Sequence, residues 1–166
     1  GRIEDGKEAF DFSEGDLNVY ITEIVQDLFY PYSDGRKLSY EITNPAELQT
    51  VTFCKRMFRH CIVNVLSNAF KYSSGSPAPL MRVHADAETV TIEVQDFGIG
   101  IPDPEISKVS MSFFRGSNVG NTFGTGIGLM LTEYIIKAHH GAMSIQSQLN
   151  VGTTVTLTIP KNITAN

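Results

Sequence analysis

Asn64, Asn68 and Lys71 recur at i, i+4 and i+7, interleaved with Phe58, Ile62, Val65, Leu66 and Ala69. On an α-helix that spacing places the three polar side chains on one face, beside an apolar stripe. An amide oxygen is a neutral, hard ligand suited to Mg2+, an ion that takes only one or two protein ligands and completes its shell with water and phosphate oxygens. A lysine one turn further on presents a point charge to a phosphate. Taken alone, the three residues also fit a solvated helix face, so the reading turns on what else the chain carries.

Two glycine-rich segments bear on it. Asp96-Phe97-Gly98-Ile99-Gly100-Ile101-Pro102 directly follows an alternating apolar run. It puts a carboxylate at a strand end, where it can accept from an exocyclic amine, and two glycines where a flat ring could approach the backbone. Gly124-Thr125-Gly126-Ile127-Gly128-Leu129 opens a helical pattern. Free backbone N–H groups at a helix N-terminus favour phosphate. Either segment alone is a weak signal, because glycine-rich turns are frequent.

Such groups need a scaffold, and the flanking sequence supplies one. Leu17, Ile21, Ile24, Val25, Leu28 and Phe29 recur at helical spacing from Asp16 to about Tyr30, and Pro31 stops the pattern. Alternating stretches at 37–43 and 49–53 read as short strands separated by the Asn44-Pro45 turn signal. A second helix is predicted over 55–72, a hairpin over 81–86 and 89–95, a third helix from about Ile127 to His139, and closing strands at 142–148 and 153–159. This order predicts an α+β fold, a two-layer sandwich whose mixed, mostly antiparallel sheet is covered on one face by about three helices. The stretch 96–128 is too long for an ordinary connection and is expected to be a functional loop or lid.

Composition bounds the remainder. The 166 residues fit one domain, 1–166 with a core of about 12–160, and 42% hydrophobic against 19% charged residues is a globular balance. A net charge of −5 without a Lys/Arg cluster argues against a nucleic-acid partner. Cys54 and Cys61 are too few for a zinc framework and are expected to be reduced and buried. No segment approaches the roughly 18 to 20 apolar residues of a membrane span. The domain is therefore expected to be cytoplasmic and free of membrane contact, whether or not its parent protein is membrane-anchored.

Read in order, Asn64 to Tyr72, the Asp96 segment, Phe113-Phe114-Arg115 and the Gly124 segment resemble the N, G1, F and G2 boxes of the catalytic domain of sensor histidine kinases. His140-Gly141, Gly152-Thr153-Thr154 and Pro160 continue the likeness, which covers about 12–160. The resemblance implies a Bergerat ATP-binding fold, shared with gyrase, Hsp90 and MutL, with ATP and Mg2+ as ligands. By that analogy Asp96, with Gly98 and Ile101, binds the adenine end, and Gly100 lets the base approach. Tyr72 packs near base or ribose, and Thr153 supports the adenine through a hydrogen bond or water. Asn68, with Asn64 nearby, holds Mg2+, and Lys71 and Arg115 contact phosphates. Gly124, Thr125, Gly126, Ile127, Gly128 and Leu129 belong to the lid over the triphosphate. Asn64, Lys71 and Arg115 are the catalytic candidates.

The ATPases of this superfamily resemble one another in carrying Glu where Asn64 stands, and asparagine has no titratable base with which to activate water. The resemblance thus implies a site that holds ATP until another nucleophile arrives. His60, His84, His139 and His140 all lie outside the His-Glu-Leu/Phe-Arg-Thr-Pro pattern of the family's phosphoacceptor helix. The acceptor histidine is expected in a domain elsewhere on the parent chain or on a dimer partner, with a response regulator downstream. Ser110 stands where the F box has a bulky residue, and Phe53-Cys54-Lys55 lacks the aspartate that often precedes the N box. A catalytically inert nucleotide-binding interaction module and an anti-sigma-factor-type serine kinase stay open as alternatives. Gly1 to Lys7 imitates a P-loop but is followed by Glu8 rather than Ser or Thr, and Asp96-Phe97-Gly98 lacks the other signatures of eukaryotic-type protein kinases.

Overall fold

The computed structural model describes residues 10–29, 34–101 and 127–163. The first helix, α1 (Leu17–Ile24), begins where the Asp16 side chain accepts the Val19 amide at 3.0 Å, which satisfies one of the donors a helix start leaves open. It buries Leu17, Ile21 and Ile24. The helical periodicity expected as far as Tyr30 continues as a π-helical turn over Val25–Phe29.

After β2 (Ser39–Thr43) the chain turns at Asn44, whose φ of 59° is the left-handed conformation that asparagine tolerates, into a 3-10 turn at Pro45–Leu48. The strand that follows, β3 (Val51–Phe53), departs from the main sheet and pairs antiparallel with β1 (Ser13–Gly15), setting Ser13 opposite Phe53. β1 is not foreshadowed in the amino-acid pattern. Three residues, Ser-Glu-Gly, are too short and too polar to carry a period-two signal.

Next come α2 (Lys55–Lys71), β4 (Leu80–Ala85) and β5 (Thr89–Gln95). The hairpin between the strands is held by Asp86, whose Oδ1 accepts the Glu88 and Thr89 amides at 2.8 and 2.7 Å. Helix α3 (Ile127–Ala138) ends with His140 at φ 64°, the Gly141 amide reaching back to the Ile136 carbonyl at 2.9 Å. That is a Schellman-type stop with histidine where glycine is usual. Strands β6 (Ala142–Gln148) and β7 (Gly152–Pro160) close the chain.

The main sheet runs β2-β4-β5-β7-β6, parallel at β2–β4 and antiparallel elsewhere. Its register aligns Val83, Ile92, Leu157 and Met143 in one row and Val94, Val155 and Ile145 in another. These rows face α2 and α3, which pack beside each other, while α1 leans on α2. The opposite face carries Arg82, Thr91, Glu93, Thr156 and Thr158. One greasy face and one wet face are what an antiparallel sheet with a single helical layer requires. The expected two-layer α+β sandwich with three α-helices among the described residues is the one observed.

Candidate nucleotide-binding site

Alternation along β5 sends Val90, Ile92 and Val94 into the core. Asp96, the next residue in that phase, is therefore carried to the helix side of the sheet just where the strand stops. It is 6% exposed. Its Oδ1 accepts the Gly98 amide at 3.0 Å and the Thr153 amide at 3.3 Å. Among the described residues nothing engages Oδ2. Burial pushes its proton affinity above the ordinary carboxylate range, opposed by the two amides and by the positive charge of Arg36.

The loop that follows threads between two other parts of the chain. The Tyr72 carbonyl at the C-cap of α2 accepts the Ile99 amide at 3.2 Å, and the Asn150 amide bonds the Ile99 carbonyl at 2.7 Å. A Cβ at Gly98 would come within 2.1 Å of the Tyr72 carbonyl oxygen, and one at Gly100, at φ +71°, within 2.1 Å of the Gln148 carbonyl oxygen. From the sequence, both glycines are expected to admit an approaching ring. What demands glycine at both positions is protein backbone on the other side.

Ser147 is the hub of the second contact. Its hydroxyl lies 2.7 Å from the Ile101 amide, 3.0 Å from the Gly152 carbonyl and 2.7 Å from Thr153 Oγ1. Thr153 is tied to Asp96 twice, its amide donating to Oδ1 and its carbonyl accepting the Asp96 amide at 2.8 Å, and Ser147 links it to Ile101 in the loop that follows. A cleft of about 270 Å³ borders Asp96 and Thr153. Its other walls include Gln95, Thr154 and Gln146, which form one row on the polar face of the sheet. The cleft thus straddles the strand ends, and its volume falls below the roughly 300 to 1,000 Å³ of small-molecule pockets. Asp96 itself, buried on the helix side of the strand end, is the candidate contact for a base.

Along α2, Asn64 and Asn68 are half-buried and Lys71 is exposed. Among the described residues no group of three or more His, Cys, Asp or Glu side chains is placed to hold a metal. A cation on this face would have only the neutral amide oxygens of Asn68 and Asn64, a donor set that fits Mg2+ provided phosphate oxygens complete the shell. Tyr72 caps the same helix, so its backbone joins the amide face to the Asp96 loop. Ile127, Gly128 and Leu129 begin α3, and Leu129 is partly buried against the core. Arg115, Gly124, Thr125 and Gly126 lie outside the described residues, as does Ser110.

A family model described as "Histidine kinase-, DNA gyrase B-, and HSP90-like ATPase" matches residues 55–163, from the first residue of α2 through β7. The chain belongs to this ATPase family. Among relatives, it is 30% identical over 138 residues to the adaptive-response sensory kinase SasA of a Synechococcus strain, covering 82% of this chain and 36% of that protein. It is 26% identical to the sensor histidine kinase YvrG of Bacillus subtilis, covering 79% of this chain and 22% of that one. The chain thus spans about a third or less of such relatives. In fold it is similar to the catalytic domain of histidine kinase ThkA, with TM-score 0.78, 23% identity, and 92% of this chain and 99% of that one covered. Full-length ShkA in complex with AMPPNP gives TM-score 0.79 at 19% identity, covering 99% of this chain and 33% of that one.

Two contributors to the site were missed in the sequence. His139 is fully buried at the end of α3. Its Nε2 accepts the Cys54 amide at 3.1 Å, and its Nδ1 donates to the Ile135 carbonyl at 2.8 Å. The imidazole thus satisfies the amide of the N-cap residue of α2, whose own side chain makes no cap bond. Burial, chiefly, and the neighbouring His140 hold His139 below the usual imidazole range. The other missed residue, Arg36, sits beyond the opposite end of α2. Its guanidinium bonds the carbonyls of Phe70, Ser73, Ser76 and Pro77 at 2.8 to 3.2 Å. No local pattern announces either residue, because both act across 34 or more positions of sequence.

Proposed function

We propose that this domain binds Mg-ATP and donates the γ-phosphoryl group to a histidine on a phosphoacceptor domain that is not part of the described chain, with a response regulator as the onward recipient. The observation that carries the proposal is Asp96: a buried carboxylate at the end of β5 whose Oδ1 accepts two amides while, among the described residues, nothing engages Oδ2. A purine amino group supplies a donor to Oδ2. Along α2, Asn68 and Asn64 hold Mg2+ and Lys71 meets a phosphate. The bound ion offsets charge on the phosphate oxygens, and the residues' own work is to orient the nucleotide. Asn64 offers no base to water, so ATP waits for an outside nucleophile rather than being hydrolysed. The kinase names of the relatives and the AMPPNP bound to a structural neighbour support this reading.

The test is nucleotide affinity of wild type and Asp96→Asn by calorimetry, followed by transfer to an added histidine-bearing helical domain. Asn can still accept the Gly98 and Thr153 amides through Oδ1, so the variant is expected to fold while turning a donor toward the purine amine. A loss of at least about tenfold in ATP affinity is expected, the cost of one charged hydrogen bond. Unchanged affinity removes Asp96 from the base site. Tight ATP binding with no phosphohistidine formed favours the inert module, a reading motivated by Ser110 in the F box.

A further inference from the structure

We propose that Arg36 is a positioning residue of the nucleotide site, fixing the distance between the Asn64–Asn68–Lys71 face of α2 and the Asp96 loop. The inference rests on the nucleotide reading above. An α-helix ends with unpaired carbonyls and a partial negative charge. Arg36 meets that end with an unusual concentration of donors. Nη2 bonds the Phe70 carbonyl at 2.9 Å, while Nη1 reaches the Ser73 carbonyl at 2.8 Å, Ser73 Oγ at 3.1 Å, and the Ser76 and Pro77 carbonyls at 2.9 and 3.2 Å. The planar fork is itself aimed by Asp34, which accepts from Nε and Nη2 at 2.8 and 2.6 Å, and the guanidinium stands 5.2 Å from the centre of the Phe70 ring.

The turn held in this way is the one on which the Asp96 loop rests. The Tyr72 carbonyl, between Phe70 and Ser73, receives the Ile99 amide. The same oxygen and Ser73 Cα stand 2.1 and 2.6 Å from where a Gly98 Cβ would be. A displacement of the 70–77 turn therefore moves the Asp96 loop relative to Asn68, four residues back along α2. A nucleotide that contacts both ends reads that displacement, whereas a ligand confined to the Asp96 end does not. Lysine keeps the charge but offers a point donor, which cannot meet carbonyls on four residues at once.

The experiment compares ATP and adenosine affinities, with Mg2+ present, for the 166-residue chain and its Arg36→Lys, Arg36→Gln and Asp34→Asn variants. The expected result is a loss in ATP affinity on the order of tenfold for both Arg36 variants, with adenosine within about twofold of wild type. Asp34→Asn, which leaves Arg36 present but loosely aimed, shifts the same ratio in the same direction by a smaller factor and covers the case in which an Arg36 variant does not fold. A general loss of fold lowers both affinities together and leaves the ratio unmoved. An unchanged ratio in Asp34→Asn and in every Arg36 variant that folds overturns the positioning role while leaving the nucleotide site standing. Wild type that binds neither ligand overturns both.

Discussion

Replacing His139 by glutamine separates the cap on α2 from every other acid-sensitive feature of the domain. The imidazole accepts the Cys54 amide on Nε2 and donates from Nδ1 to the Ile135 carbonyl, with the rings of Phe12 and Phe58 centred 5.0 and 5.5 Å away. Protonation would place an Nε2–H against the Cys54 N–H inside an aromatic shell. The folded protein accordingly resists taking up that proton, while the unfolded chain accepts it near the ordinary imidazole value of about 6.5. The sign follows from linkage. With the folded pKa depressed, the unfolded state binds more protons at acid pH, so this contribution is intact above about 6.5 and drains away as pH falls toward the folded value. Between about pH 7.5 and 5.5 the wild type is expected to lose up to about 1.3 kcal/mol through this residue alone. Glutamine retains an acceptor and does not titrate, so urea unfolding of His139→Gln across the same interval is expected to show a smaller acid loss, by at most that amount. Parallel pH slopes for the two proteins would refute the neutral, capping role of His139.

Four shorter expectations follow from the same geometry. Gly98→Ala drives a methyl into the Tyr72 carbonyl and is expected to destabilise the domain by about 1 to 3 kcal/mol or more in thermal unfolding, with no gain on adding ATP. Ser147→Ala strands the Ile101 amide and is expected to cost about 1 to 3 kcal/mol by urea unfolding. Adenosine affinity measured by calorimetry should begin to fall with acidification at a pH above the ordinary carboxylate value, because burial raises the Asp96 pKa and the protonated carboxyl loses an acceptor. Asn68→Ala should weaken ATP binding more in Mg2+ than in EDTA, and equal losses would exclude a metal role.

How much of this was legible in the chain depends on the range over which each element is decided. The limits of β5 and the start of α2 were readable because Val90-x-Ile92-x-Val94 and the stripe from Phe58 to Ala69 are periodic within a few residues, and periodicity is a local property. The strand character of Val51–Phe53 was equally local, but its partner was not. Nothing in that tripeptide says that it joins β1 rather than the main sheet. The π-helical turn after Ile24 escaped because the apolar spacing there suits either winding. Asp96 and Thr153 were legible as candidates through the resemblance, whereas the serine that ties Thr153 to Ile101 was not, since Ser147 looks like any polar residue of an edge strand. The glycines carry the sharpest lesson. Their need for a missing side chain was readable, but whether a ligand or the chain itself fills the gap is decided only by the packing of Tyr72 and Gln148.

The small β1–β3 ribbon has a consequence for how such a domain is spliced into longer proteins. Glu14 pairs with Thr52, and the Thr52 amide bonds the Lys161 carbonyl just past β7. Incoming and outgoing chain therefore meet over one residue, roughly two strand spacings or about 10 Å apart. Modules joined at either side share a single corner of the sandwich, and rotation about that corner can re-aim the whole domain while its interior stays unaltered.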